Sequence, residues 1–314
     1  MLRRGLSWGF VGVLAFSLSL PTTQVTVRQL GPVFATTGRA AAAAGLAALY
    51  LAWRRASRPP ARLVPSLLVV AAGVVVGFPL FTALALQHED SAHGAVIVGL
   101  LPAATAVLGV LRNGERPSPA FWAACGVGAG AVTVFALVRG QGLPTGADVL
   151  TVLAVLAAAA GYAEGARLAV ALGSDQVICW ALLLSLPLVL PVLALSVATR
   201  TPNADAAGWS CFAYTAVISM FLGFFAWYRG LALGGVAKVS QVQLAQPLLT
   251  VGESALLFGQ HVDLTILLAA LSVVLCVAAA QRTRVRRHPA PPVPRPSNPG
   301  TPPLRDTTTG EAMT

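Results

Sequence analysis

Charge is what this chain has least of. Charged residues make up 10% of its 314 positions, against roughly 25% in soluble domains. A surface so poor in charge cannot face water all round, which excludes a soluble globule and makes lipid the solvent. Lysine is almost missing: Lys238 stands alone against twenty arginines. No G-x-x-x-x-G-K-[ST] loop occurs, which removes direct nucleotide drive, and no H-E-x-x-H or G-x-S-x-G occurs to support a hydrolase. The four cysteines (Cys125, Cys179, Cys211 and Cys276) all lie in apolar stretches without metal-ligand spacing, so they read as small buried hydrophobes. No catalytic residue, metal site or cofactor is assigned from the sequence. The net charge of +10 comes without a basic face or an aromatic-interleaved patch, so nucleic acid is excluded as a partner.

What is present is hydrophobic length. Residues of the hydrophobic class are 56% of the chain and the mean hydropathy is +0.75. Ten apolar stretches fall at approximately 6–27, 31–53, 64–86, 93–112, 119–138, 147–168, 176–198, 209–228, 236–258 and 263–281, here numbered spans 1 to 10. Each is close to the ~20 residues that cross a ~30 Å hydrocarbon core as a helix. The connections are too short for a soluble domain. Met1–Leu20 has the Arg3/Arg4 flank of a signal peptide, but it lacks an A-x-A-like site and runs into the next span, so it reads as span 1.

Orientation follows from the cations. With the N-terminus inside, 17 of the 21 Lys and Arg residues lie on the cytoplasmic side, six of them in the tail. Outer loops keep only Arg28, Arg139 and Arg200. The six tryptophans lie near span ends, as headgroup-level indoles do, and Trp227 with Tyr228 at the end of span 8 reads as part of that belt or as lining of the inner mouth. Beyond Gln281 the chain changes to arginine and proline, a composition that cannot pack and is expected to be disordered on the cytoplasmic side.

Ten spans divide into two fives, and an odd number per half forces the second half to insert upside down relative to the first. Pro102, Thr105, Gly114 and Glu115 recur 145 residues later as Pro247, Thr250, Gly259 and Gln260. Each unit places a proline mid-span and a Gly-Glu or Gly-Gln pair at the exit. Breaks in corresponding helices of two halves point to a transport site, although proline is common in membrane helices generally. The expected architecture is an all-α integral membrane protein of ten transmembrane helices in two inverted five-helix repeats, residues 1–140 and 141–281, with both termini inside and a disordered tail at 282–314.

Four segments, LGPVFATTGRAAAAAGLAALYLAW at 30–53, GLLPAATAVLGVLRNGERPSPAFW at 99–122, GYAEGARLA at 161–169 and the run from Ser219 to Gln260, resemble the EamA-type ten-helix carriers of the drug/metabolite transporter superfamily. The resemblance implies two five-helix bundles around a cavity lined mainly by spans 1, 3, 4, 6, 8 and 9, working by alternating access. Such carriers usually end both repeats with Gly-Glu; Gly259-Gln260 departs from that, so a mechanism needing a carboxylate there is in doubt.

Ionisable groups within spans cost roughly 2.5–3.5 kcal/mol each on insertion scales and default to functional candidates. Arg39 and Glu253 lie at similar depth, ~12 Å below the outer surface at 1.5 Å per residue. Three readings stay open: an ion pair that breaks and remakes during transport, a static brace, or Glu253 neutral by burial. Glu164 and Arg167, three residues apart, share a helix face near the cytoplasmic end of span 6; local pairing and snorkelling compete with a role in proton coupling. Gln243 and Gln246, at i and i+3 before Pro247, suit polar or zwitterionic cargo or else hold helices together. Pro102 and Pro247 are the helix-break candidates. His88, Glu89, Asp90 and His93 form one outer-loop cluster that reads as solvated loop charge. Gly126 and Gly130 in span 5 form a G-x-x-x-G that suits either packing within the monomer or a homodimer.

The functional expectation is a secondary transporter in a bacterial cytoplasmic membrane that exports an amino acid, metabolite or drug-like solute. Its partners would be the small-molecule substrate, the lipid bilayer and coupling protons. The alternatives are a flippase for lipid or lipid-linked substrates on the same scaffold and, with less support, an intramembrane lipid-modifying enzyme. A green fluorescent reporter fused after residue 281 is expected to fluoresce and an alkaline phosphatase fused there to stay inactive, with the reverse after residue 141. Activity of the phosphatase at residue 281 would overturn the orientation.

Overall fold

The computed structural model describes residues 2–113, 116–120 and 144–282, isolated residues between 122 and 134, and residues 285–286. Gly114, Glu115, Gly128, much of span 5 and the tail beyond 286 lie outside the described residues.

The described spans are helical. Six helical stretches are long and apolar enough to cross a membrane: Arg3–Leu30, Ala61–Ala85, Ser91–Gly109, Gly146–Leu172, Ser174–Thr199 and Ala206–Gly234. Span 2 is the helix Pro32–Trp53, span 9 is helical from Val236 to Phe258, and span 10 is the helix Leu264–Arg282. Among the described residues, strand structure is confined to a two-residue antiparallel pairing of Arg116–Pro117 with Val285–Arg286.

Three turns between helices are a single glycine wide. Gly31, Gly173 and Gly235 take φ of 80°, 93° and 81°, a backbone region open to glycine and strained for other residues. Gly31 joins spans 1 and 2, and Gly173, 142 residues later, joins spans 6 and 7. Similar spacing recurs inside the helices. Span 3 carries a π-helical segment at Ala71–Gly77 and span 8 carries one at Tyr214–Leu222. Span 4 is interrupted at Gly99–Leu100, and span 9 narrows to a 3-10 turn at Ser240–Ala245.

The two helix-break candidates lie where spans 4 and 9 are interrupted. Pro102 and Pro247 are each the second residue of the helix that restarts after the interruption, at Leu101–Asn113 and Gln246–Phe258. There the missing N–H is one the helix could not use anyway. Pro187 and Pro191, in contrast, sit inside the unbroken helix Ser174–Thr199. Proline alone therefore does not break these spans.

The contacts between helices exchange evenly between the halves. Span 1 packs on span 8, and span 6 packs on span 3; span 2 packs on span 7, and span 4 meets span 9. Both crossings of the first kind depend on absent side chains. A Cβ at Gly5 would stand 2.7 Å from the Gly234 Cα, and one at Gly230 would stand 2.6 Å from the Gly9 backbone nitrogen. A Cβ at Gly73 would stand 2.4 Å from the Ala157 carbonyl oxygen, and one at Gly161 would stand 2.7 Å from Val74. Small residues let helix backbones touch, which is how association is driven where lipid removes the hydrophobic term. Gly126 and Gly130 differ: a Cβ at either meets nothing within 4 Å among the described residues.

An aromatic layer lies between spans 1, 6 and 8. Phe16, Tyr162, Phe224 and Trp227 stack with ring centroids 5.0–6.5 Å apart, and Phe224 continues the layer to Tyr228. Trp227 and Tyr228 are fully buried, so the expectation of a headgroup position fails for both. The glycines on span 6 explain the change, because Gly165 leaves the space that the Tyr228 ring fills. Trp8, Trp53, Trp122 and Trp209 do stand exposed at span ends.

Gly73→Ala is expected to destabilise the protein by at least the ~1–3 kcal/mol of an overpacked core, since its Cβ meets rigid backbone. Gly45→Ala, in open space, should be neutral. Detergent melting curves of the two variants check this.

Candidate functional site

A central cavity lies among helices of both halves. Its walls come from Phe16, Ser19, Leu20 and Thr23 of span 1, Arg39 of span 2, Val74, Phe78, Pro79 and Thr82 of span 3, and Leu101 of span 4. Ala158 and Tyr162 of span 6, Ser219, Met220 and Phe224 of span 8, and Gln246 of span 9 complete it. The lining spans are those the family resemblance implies, with Arg39 added. The cavity proper is constricted to about 30 Å³, room for one or two waters.

Irregular helix surrounds this space. Val74 belongs to the π-helical segment of span 3, Ser219 and Met220 to that of span 8, and Gln246 starts the helix after the span 9 interruption. Backbone irregularity at membrane depth is tolerated where it lines a cavity, and π-bulges gather at functional sites.

Arg39 is the charged residue in the lining. It is 4% exposed, its Nη1 donates to Thr23 Oγ1 at 3.2 Å, and its Nε is buried with no partner. Ser19 and Ser219 share a hydrogen bond of 2.6 Å across the cavity wall. Gln243 Nε2 donates to Gln246 Oε1 at 3.3 Å, so the Gln246 amide serves its neighbour.

Glu253 sits elsewhere. Its Oε1 accepts from Ser17 Oγ at 2.8 Å, and its Oε2 is buried without a partner. Ser17 ends the first helical segment of span 1, and its carbonyl accepts from Thr250 Oγ1 at 2.7 Å. Arg39 and Glu253 therefore do not pair in this structure; each is held by a hydroxyl of span 1. Glu164 and Arg167 do pair, and Arg167 also donates to Ser66 Oγ at 3.0 Å. The Glu164 side chain is buried while that of Arg167 is 57% exposed, the geometry of local pairing and snorkelling.

At the arginine-poor end a polar latch joins spans 1, 4 and 9. Gln260 Oε1 accepts from Ser91 Oγ at 2.9 Å and from the Ala92 amide at 3.3 Å, while its Nε2 donates to Gln24 Oε1. Gln24 Nε2 in turn donates to Asp90 Oδ1 at 2.9 Å, and Ser91 Oγ meets Ser254 Oγ at 2.9 Å. This explains the departure from Gly-Glu in physical terms: a carboxylate at 260 could not donate to Gln24 and would lie near Asp90.

The neighbouring loop cluster is not the solvated charge expected of it. Of the four cluster residues, His88 and Asp90 are exposed, and Asp90 pairs with Arg28 at 3.2 Å. The side chains of Glu89 and His93 are 8% and 12% exposed, and both turn toward Asp148 at the start of span 6. Burial pushes the Glu89 carboxyl above its ordinary range, opposed by its hydrogen bond from Thr151 and by His93. The loop docks because Thr145 and Asp148 form a capping box that fixes the start of span 6 beneath it.

Sequence reasoning found Arg39, Gln246 and Glu253 but passed over Ser17, Ser19, Thr23, Ser219 and Gln24. The i, i+4 spacing of Ser19 and Thr23 in an apolar run was the signal available.

Comparison with known proteins agrees with this architecture. The EamA-like transporter family matches twice, over residues 3–137 and 145–280. A protein of Bacillus subtilis (strain 168) described as the uncharacterized transporter YdeK is 46% identical over 274 residues, covering 87% of this chain and 96% of that protein. A solved crystal structure has the same fold, with a TM-score of 0.63 at 19% identity over 89% of this chain and 97% of its own. A chain of apolar helices that the family matches in both halves belongs to the EamA-like transporter family of the drug/metabolite transporter superfamily, and is a multi-pass membrane transporter.

Proposed function

We propose that this protein is a secondary carrier that exports a small solute bearing an anionic group, by alternating access between two inverted five-helix repeats. The observation that carries the substrate class is Arg39: a buried arginine in the cavity wall with an unpartnered Nε and, among the described residues, no carboxylate paired with it. A buried cation without a counter-charge is costly, and a solute carboxylate would supply what the protein withholds. Phe16, Phe78, Tyr162 and Phe224 give the solute an apolar wall, so the favoured cargo joins a carboxylate to a hydrophobic body, as an apolar amino acid does.

The inverted arrangement is supported by the paired features of the halves. Glycine turns follow spans 1 and 6, π-helical segments interrupt spans 3 and 8, and helices restart at Pro102 and Pro247 in spans 4 and 9. The contacts of span 1 with span 8 and of span 6 with span 3 are what a pseudo-two-fold axis would relate. The arginine distribution sets the N-terminus inside, which makes the Gln24–Gln260 latch the outer gate and the Phe16–Trp227 layer the inner one. The constricted cavity between them fits an occluded intermediate, and loading would require the aromatic layer to part.

Glu253 is the proposed proton-coupling group. Its second oxygen is buried without a partner, so a proton there would satisfy an atom that the protein leaves bare. Glu164 is assigned to positioning, since Arg167 already holds it.

Two outcomes test these roles. Arg39→Gln is expected to weaken export of carboxylate-bearing solutes roughly 10- to 100-fold, the equivalent of ~1.5–3 kcal/mol for a charge-assisted hydrogen bond, measured by profiling the growth medium of overproducing cells against the wild-type protein. Equal export by the variant would remove Arg39 from the site. Glu253→Gln is expected to abolish the response of transport to a proton gradient in proteoliposomes, whereas Glu164→Gln should leave that response in place; a normal response in Glu253→Gln would remove the coupling role.

A further inference from the structure

We propose that Glu89, His93 and Asp148 form a binding site for a divalent transition-metal ion of the zinc class, in the vestibule at the arginine-poor end and separate from the central cavity. One ligand atom from each residue lies within 4.8 Å of the others. Nitrogen from one imidazole and oxygen from two carboxylates is a donor set that suits zinc or cobalt over magnesium or calcium, which prefer all-oxygen shells.

The arrangement beyond those atoms favours a ligand. Each carboxylate has one oxygen anchored and the other turned to His93. Glu89 Oε1 accepts from Thr151 Oγ1 at 2.7 Å, and Asp148 Oδ2 accepts from the Thr145 amide and hydroxyl at 2.7 and 2.8 Å. The remaining oxygens face His93 Nε2, Asp148 Oδ1 at 2.7 Å and Glu89 Oε2 at 3.4 Å. Outer-shell hydroxyls that aim carboxylates in this way are a recurrent part of metal sites. Glu89 Oε2 is buried and lacks a hydrogen-bond partner, on a side chain only 8% exposed. That oxygen is an acceptor pointed into the cluster, facing the His93 ring nitrogen 3.4 Å away. Gly94 contributes room, since a Cβ there would press within 3.1 Å of Glu89 Oε1.

Geometry and charge both suit an ion. Donors held tetrahedrally at 2.0–2.2 Å stand ~3.3–3.6 Å apart, so the His93–Asp148 separation needs to widen by less than ~1 Å and the Glu89–His93 separation hardly at all. A divalent ion neutralises the charge of two carboxylates whose side chains are 8% and 4% exposed. The open side of the cluster faces a vestibule of about 690 Å³ that His88 and His261 also line, leaving a coordination position for water. The ion would tie the first helix of span 4 to the start of span 6, joining the two halves at this end.

The test is calorimetric titration of zinc chloride into the purified, tag-free, chelator-stripped full-length protein in detergent. The expected result is saturable binding of one ion per chain, with cobalt also bound and magnesium at least 10-fold weaker. His93→Gln and Glu89→Gln should each lose at least 10-fold in affinity, and Thr151→Val about 10-fold through the outer shell. The double variant His88→Gln, His261→Gln should stay within a few-fold of wild type. Should His93→Gln fail to fold, Thr151→Val carries the same decision, because it touches no ligand atom of His93. No saturable zinc binding by the wild type would overturn the proposal. So would unchanged binding in both His93→Gln and Thr151→Val.

Discussion

The rest of the structure depends on the close approach of backbones at two glycine crossings, Gly5 and Gly9 against Gly230 and Gly234, and Gly73 against Gly161. In lipid no hydrophobic term drives helices together, so packing must come from direct contact of surfaces. Removing side chains at these points brings span 1 onto span 8 and span 3 onto span 6, each contact joining one half of the chain to the other. The central cavity is what remains between the crossings once the helices are pinned. Its walls are therefore contributed by both halves, which is the requirement for any mechanism in which one half moves against the other.

Close crossings also explain where polar groups are tolerated. The π-helical segments, the span 4 interruption and the 3-10 turn of span 9 leave backbone groups without their usual helical partners, and such groups cannot face lipid. Hydroxyls also serve carbonyls near irregular backbone: the Ser17 carbonyl, at the end of the first helical segment of span 1, receives Thr250, and the Pro79 carbonyl, two residues past the π-helical segment of span 3, receives Thr36 and Thr82. Serine and threonine thus share the cavity wall with the irregular backbone, and Arg39 and Glu253 borrow that same hydroxyl layer. Of the readings open for Arg39 and Glu253, a mutual ion pair is absent here, and each is held by a hydroxyl of span 1.

Much of the architecture was legible from the sequence. Span positions followed from apolar length, which only a helix can satisfy in a bilayer. The glycine turns at 31 and 173 sit where the spans meet, and the lining spans agree with the resemblance. Pro102 and Pro247 marked the interruptions of spans 4 and 9, but the sequence cannot distinguish a proline at the first turn of a new helix from one inside a helix; Pro187 and Pro191, with the same local appearance, lie in continuous helix. Trp227 and Tyr228 looked like a headgroup belt because position along a span carries no information about which face is covered.

The site divides the same way. Composition and spacing determined that the chain is helical, lives in lipid, and carries a few costly ionisable groups worth naming, because those properties are set by single residues and their immediate neighbours. Pairing was decided by the tertiary structure. Ser17 meets Glu253 across 236 positions, Gln24 meets Gln260 across 236, and His93 meets Asp148 across 55. Which polar group faces which is a property of helix rotation and crossing, and those are fixed by packing between halves rather than by any local run of residues.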